Sequence, residues 1–447
     1  MQPTVQTSIL KKFKLLIAGK WNRDTPVASI FRNMTMLASG IGASKIVAAM
    51  TLPVITRIYL PEHMGVLAVF SALTALIVPF GSLRYTMALP LPKNDGIALN
   101  LAVFCGVCLL FTFILVFLVL WWGAQALFEM LSMEKLVPFW WLVPVAAAGT
   151  GLYELLTSWA VREKAFRPMA KSKVWQAILG GITKIGLGLL GFKPSGLLLG
   201  QVFNQAGGVF SLFRAFRPTF QRFFWQVSWG RMLFVIRHYA DFPKYRLPSQ
   251  FLLIFSTQAP LLYFAWHFGA EITGQLGLAL AILALPMTLF GQTTGQAYYA
   301  EIARIGRKEP GRIYNVSKGI TKQLFLVSIL PFFGLVFFSP WLFQVFFGAI
   351  WREAGVFASI LALYLVAQFI SSPLVNVFNI FEKQWMFLII NILRVFGVIF
   401  VFGLSFKLGF TSTETLLFYS IGLSIFYILT AFLVFKFISH VRVSSLI

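Results

Sequence analysis

Acidic residues are scarce in this chain: 14 Asp and Glu stand against 37 Lys and Arg in 447 residues, and charged residues of either sign make up 11%. So little charge excludes an ordinary soluble domain, for which about a quarter of residues are charged. Cysteine is nearly absent. Cys105 and Cys108 share one apolar run, where small core residues are the simpler reading than a disulfide or a metal site. The four histidines, His63, His238, His267 and His440, lie far apart in the sequence and form no triad or metal-ligand cluster. A phosphate-cradling glycine loop is missing too, so no cofactor or nucleotide-driven step is expected.

Hydrocarbon takes the place of charge. Apolar residues make up 58% of the chain and its mean hydropathy is +0.81. A helix needs about 20 apolar residues to cross a ~30 Å hydrocarbon layer, and only a helix satisfies its own backbone there. Runs of that length predict an all-α integral membrane protein of about twelve spans. The sixth is expected at Pro194–Phe213, the seventh at Pro248–Phe268 and the eighth at Thr273–Gly295. The expected organisation is a cytoplasmic amphipathic segment over 1–29, a six-helix bundle over 30–213 and a basic amphipathic linker over 214–247. A second six-helix bundle over 248–435 and a cytoplasmic tail over 436–447 follow.

The net charge of +23 predicts orientation rather than nucleic-acid binding. Odd-numbered loops hold only Arg57, Lys135, Lys193, Arg352 and Lys407, while the other face collects nearly all remaining Lys and Arg. By the positive-inside rule both termini are then cytoplasmic. Loops on the outer face are short, the longest running from Gly123 to Leu136, which leaves no room for an outer catalytic domain.

Two stretches echo each other. Pro53, Glu62, Gly65 and Pro79 recur in the same order as Pro260, Glu271, Gly274 and Pro286. Six spans separate the copies, so both start on the same side. Parallel repeats around an axis along the membrane normal are implied, with a central cavity between them.

Ionisable residues inside spans are costly and mark function by default. Four occur: Lys45, Glu154, Lys184 and Arg394. Helical steps of three and four place Lys45 below Thr35, Ser39 and Gly42, Lys184 with Gln176 and Gly180, and Glu154 between Thr150 and Ser158. Glu154 and Lys184 stand on consecutive spans, so Glu154 either pairs with Lys184 or carries a coupling ion. Lys45 and Arg394 have no carboxylate at similar depth; each faces substrate or bonds to backbone or headgroups. Arg84, at the exit of the second span, guards the cavity mouth or anchors to lipid phosphate. Gln258, Gln292, Gln296, Gln368 and Asn376 bind sugar hydroxyls or join helices. Cations left over after pairing select an anionic cargo and repel cationic drugs.

Several stretches carry a family resemblance together: TRIYLPEHMGVLAVFS (56–71), LRYTMALPLPK (83–93), RHYADFPKYRLPSQ (237–250), ALPMTLFGQTTGQAYYAE (284–301) and GAIWREAGVFASILALYLVAQFISSPLVNVFNIFEKQ (348–384). In their order and spacing they resemble the Wzx-type polysaccharide flippases, of the superfamily that includes the MATE exporters and the lipid II flippases. The resemblance implies a MATE-like fold and a non-enzymatic transporter in the bacterial inner membrane. It moves polyprenyl-diphosphate-linked oligosaccharide units, such as O-antigen repeat units for lipopolysaccharide, to the outer leaflet. Lys45, Arg84, Lys184 and Arg394 would hold the cargo. Coupling is to the membrane potential, H+ or Na+. The expected partners are the lipid-linked cargo, membrane lipids and polysaccharide polymerase machinery, and the chain is expected to act as a monomer without nucleic acid. A MATE-like exporter of small organic ions and a membrane O-antigen polymerase or ligase are the alternatives.

Overall fold

Long apolar runs dictate helices throughout, and the computed structural model, which describes residues 26–383 and 385–444, contains no strand among them. The amphipathic reading of residues 1–29 falls almost wholly outside the described residues. In the first half, α1 (Pro26–Ile58), α2 (Pro61–Gly81), α3 (Asp95–Met130), α4 (Leu142–Arg162) and α5 (Phe166–Leu189) cross in turn. A sixth crossing is built from α6 (Ser195–Ala206) and α7 (Val209–Phe223).

Local chemistry sets the helix ends. Pro61 opens α2, where a fixed φ suits the first turn and the missing N–H is not needed. Asn94 caps α3, its side-chain oxygen accepting from the backbone N–H of Gly96 at 2.8 Å and of Ile97 at 3.2 Å. Helix α3 has 36 residues and runs on to Met130, so most of the expected loop from Gly123 is helix.

Between the halves, α7 continues to Phe223. A short turn at Phe224–Gln226 then leads into α8 (Trp229–His238). Asn100 pins that turn to the start of α3: its amide donates to the Gln226 carbonyl at 3.0 Å, and its oxygen accepts from the Ser228 N–H at 2.9 Å. The sixth helical run therefore extends past the expected Phe213 to Phe223.

In the second half, α9 (Leu247–Pro286) holds two crossings. They meet at Gly269, whose φ of 80° and ψ of −177° only glycine adopts readily. A π turn at Met287–Gly291 leads into α10 (Gln292–Ile305). Then follow α11 (Pro310–Phe347), α12 (Arg352–Leu374), the short α13 (Val377–Ile380), α14 (Trp385–Leu408) and α15 (Ser412–Ser444). Helix α15 absorbs the residues from 436 that the sequence suggests as a tail.

Eight of these helices are long and apolar enough to cross a membrane by length and composition alone. Counting α9 twice and adding the more polar α4, α5 and α6–α7 gives twelve crossings in two six-helix bundles. Large apolar side chains crowd the exterior, with Trp122 86% and Leu330 82% exposed, which water would not tolerate but acyl chains do. An even number of crossings puts both described ends on one face, here named the basic face.

Candidate functional site: a central cavity between the halves

Contact between the halves concentrates at the face opposite the basic one. There α2 and the second crossing of α9, each the second span of its half, approach backbone to backbone. A Cβ on Gly65 would lie 1.9 Å from the Ala270 carbonyl oxygen, and one on Gly274 would lie 1.8 Å from that of Pro61. The residues that the sequence echo aligns therefore touch. Trp351 reinforces the seal by donating from its indole N–H to the Thr56 carbonyl at 3.0 Å.

Behind this seal lies a cavity of about 570 Å³, walled by α1, α2, α5 and α6 on one side and by α9 and α12 on the other. Met287 borders both it and a second pocket nearer the basic face, a vestibule of about 390 Å³. The Gly65–Gly274 contact closes the far face over the cavity.

Lys184 is the charged residue that lines it. Its ammonium donates to Gln201 Oε1 of α6 at 2.8 Å, and its carbonyl is held by the Tyr59 hydroxyl at 2.7 Å. Gln201 and Asn204, one turn apart, stand beside it in the wall. Glutamine orients an ammonium without neutralising it, and among the described residues no carboxylate pairs with Lys184. The charge is left over.

The expected pairing of Glu154 with Lys184 is corrected: Glu154 takes Arg84 instead, with Nη1 2.7 Å from Oε1. Arg84 lies in the turn just after α2 and Glu154 in the last third of α4, both toward the basic face, whereas Lys184 lies near the opposite end of α5. Arg84, 7% exposed in a left-handed turn with φ 62°, is a paired cation outside the cavity lining, not a free one at its mouth. One oxygen of Glu154 is thereby engaged by Arg84.

Lys45 shares a stripe with the cavity residues Ala48 and Leu52 but sits one turn nearer the basic face and does not line the void. Its neighbour is Lys173 of α5, close enough for mutual repulsion, whose ammonium stands 4.5 Å over the Tyr153 ring. Neither lysine makes an ion pair among the described residues. Lys45, Lys173 and Lys184 thus mark one basic seam along α1 and α5.

Arg394 is also outside the lining. Only 6% exposed, it sits 5.4 Å from the Tyr427 ring in an aromatic nest with Tyr364 and Tyr419, and borders a lipid-side groove between α14 and α15. Tyr364 faces the cavity, so Arg394 stands one layer behind the wall. Of the amides, Gln258 and Gln368 line the cavity and Gln296 and Asn376 the vestibule; the Gln292 side chain lies outside the described residues.

Sequence reasoning missed Gln201, Lys173 and Tyr364. Lys173 reads as a membrane-edge residue when depth alone is used. Tyr364 had a visible signal: Tyr364, Gln368, Ser372 and Asn376 recur in steps of four on one face.

A two-half, all-helical membrane protein with a cavity sealed at one face is the class this geometry defines, and solved structures share its fold. The lipid II flippase MurJ in an inward closed conformation superposes with a TM-score of 0.68 at 14% identity, covering 92% of this chain and 91% of that one. An inward-facing multidrug resistance MATE family transporter of the MOP superfamily gives 0.58 at 17%, covering 91% and 94%. A mutant of the Vibrio cholerae MATE transporter VcmN gives 0.53 at 16%, covering 91% and 95%. At these identities the likeness establishes the fold. No curated protein matches by sequence. The chain belongs to the polysaccharide biosynthesis protein family, whose model matches residues 54–356.

Proposed function

We propose that the protein flips polyprenyl-diphosphate-linked oligosaccharides from the cytoplasmic to the outer leaflet of a bacterial inner membrane. One observation carries this: an unneutralised lysine, Lys184, lines a cavity sealed at one face in a chain of the polysaccharide biosynthesis family. The basic face is cytoplasmic by the positive-inside rule, so the cavity awaits its cargo from the side where such lipids are made.

The headgroup enters the vestibule while the isoprenoid tail stays in lipid. Lys184 and the Gln201 amide then replace the water around the diphosphate, and the Lys45–Lys173 pair raises the local anion concentration on the way. Opening of the Gly65–Gly274 contact releases the head to the other side. Moving each negative charge outward across an inside-negative potential gains about 2.3 kcal/mol per 100 mV, which supplies direction without a nucleotide.

Export of small organic cations fits poorly, because the lining offers an ammonium and no carboxylate. Depletion of the protein is expected to accumulate lipid-linked repeat units in the inner leaflet, measured by their inaccessibility to a periplasmic glycan-modifying enzyme. Normal flipping with altered polymer length would instead indicate a polymerase.

A further inference from the structure

The two walls of the cavity differ in kind. On the first half stand Lys184 and its amide partner Gln201; on the second half every polar group is neutral. Helix α12 and the turn after it present Tyr364, Gln368, Ser372 and Asn376 in steps of four, a stripe about 18 Å long at 1.5 Å per residue. Opposite it, across the π turn at Met287–Gly291, α10 contributes Gln296 and Tyr299 to a vestibule that Gly291 and Gly295 leave open. The Gln258 and Gln296 amides thus face open volume on this side. Tyr299 is 42% exposed, its ring free to be covered.

Two arginines at the basic end of this half are held in ion pairs. Arg304 is bonded to Glu301 at 2.6 Å and Arg307 to Glu382, while Arg394 is screened behind Tyr364. Nothing lining the second wall competes with Lys184 for a phosphate. Amides that both donate and accept, with an amphipathic ring beside them, suit hydroxyl-rich, uncharged rings instead.

We infer that the cavity holds its cargo in one orientation, the diphosphate on the first half at Lys184 and Gln201, the glycan along the neutral second wall through Gln368, Asn376, Gln296 and Tyr299. This rests on the flippase reading above. It adds a glycan subsite and divides the labour between the halves: one recognises what all such lipids share, the other what distinguishes them.

Site-specific photocrosslinking tests it. A benzophenone amino acid replaces Thr51, which lines the first wall against Gly181, or Tyr299 in the vestibule. Cells expressing the full chain are labelled with tritiated sugar and radioactive phosphate, irradiated, and the purified adduct is treated with mild acid, which cleaves the bond between sugar and diphosphate. The expected result is that the Tyr299 adduct, formed at a sugar C–H, keeps the sugar label after acid, and the Thr51 adduct, formed at the isoprenoid C–H groups beside the diphosphate, loses it. The reverse pattern, or the same label retained at both positions, overturns the orientation while leaving flipping intact. Absence of a doubly labelled adduct at both positions before acid overturns the flippase reading and this inference with it.

Discussion

At the scale of single residues, the decisive contrast is between Arg84 and Lys184. Both are cations in an apolar setting, yet Arg84 is matched by Glu154 at 2.7 Å and Lys184 only by the neutral Gln201. Removing each partner should therefore do different things. Glu154→Gln leaves a largely buried guanidinium without its counter-charge, and unfolding in detergent should become easier by about 1–3 kcal/mol, read as a lower midpoint in thermal denaturation. Lys184→Gln removes an unmatched charge and should leave that midpoint unchanged or raised. Its effect belongs to the cargo: a hydrogen bond from a charged group contributes about 1.5–3 kcal/mol, so affinity for an isoprenyl diphosphate should fall roughly tenfold to a hundredfold. Isothermal titration with farnesyl diphosphate reads this directly.

Depth and spacing made Lys184 legible in the sequence, because its distance from Lys173 along one helix fixes a mid-membrane position. The same reasoning overreached at Lys45 and Arg394. Depth along an axis says nothing about rotation around it, and Arg394 is turned toward Tyr427 and the lipid-side groove. Pairing was likewise invisible, since Arg84 and Glu154 are 70 residues apart and meet only after α4 packs beside the exit of α2.

At the scale of elements, two devices stand out. The first is the backbone contact of α2 with the second crossing of α9. Its glycines were visible as an internal echo, and the structure gives the reason they are glycines: neither position has room for a Cβ. Gly274→Val should hold the two helices apart and bias the protein toward the state open at the far face. A single cysteine at Ser71 in the cavity should then react faster with a membrane-impermeant maleimide added outside, and an unchanged rate would argue against a seal at this point.

The second device is the α7–α8 segment. Between Arg214 and Ala240 it holds Arg214, Arg217, Arg222, Arg231 and Arg237 and no acid, with Trp225 90% and Trp229 74% exposed. Asn100 fixes the turn between the two helices at the start of α3, the level of the headgroups, where tryptophan and arginine are favoured. Trp225→Ser with Trp229→Ser should lower the thermal stabilisation conferred by phosphatidylglycerol nanodiscs relative to phosphatidylcholine ones. Its helicity and amphipathic composition were legible from residues; its attachment to α3 was not, because Asn100 reads as one polar residue in an apolar run.

For the whole molecule, about twelve crossings in two halves around a central cavity follow from apolar run length and the repeated Pro–Glu–Gly–Pro order, and the fold agrees. Which residues the cavity exposes did not follow, because it depends on how two bundles tilt against each other. If the halves rock about the Gly65–Gly274 contact and carry an anionic head outward with the potential, transport into proteoliposomes should quicken when a potassium diffusion potential is imposed in the favourable sense. It should slow when the potential is reversed.

Whether the free charge of Lys184 is what the cavity offers its cargo is read from flipping of a fluorescent isoprenyl-diphospho-saccharide in proteoliposomes, comparing the parent protein with Lys184→Gln and Lys184→Arg. The account predicts roughly a tenfold loss or more for glutamine and retention of most activity for arginine. Equal rates for the parent and Lys184→Gln at matched protein incorporation would contradict it.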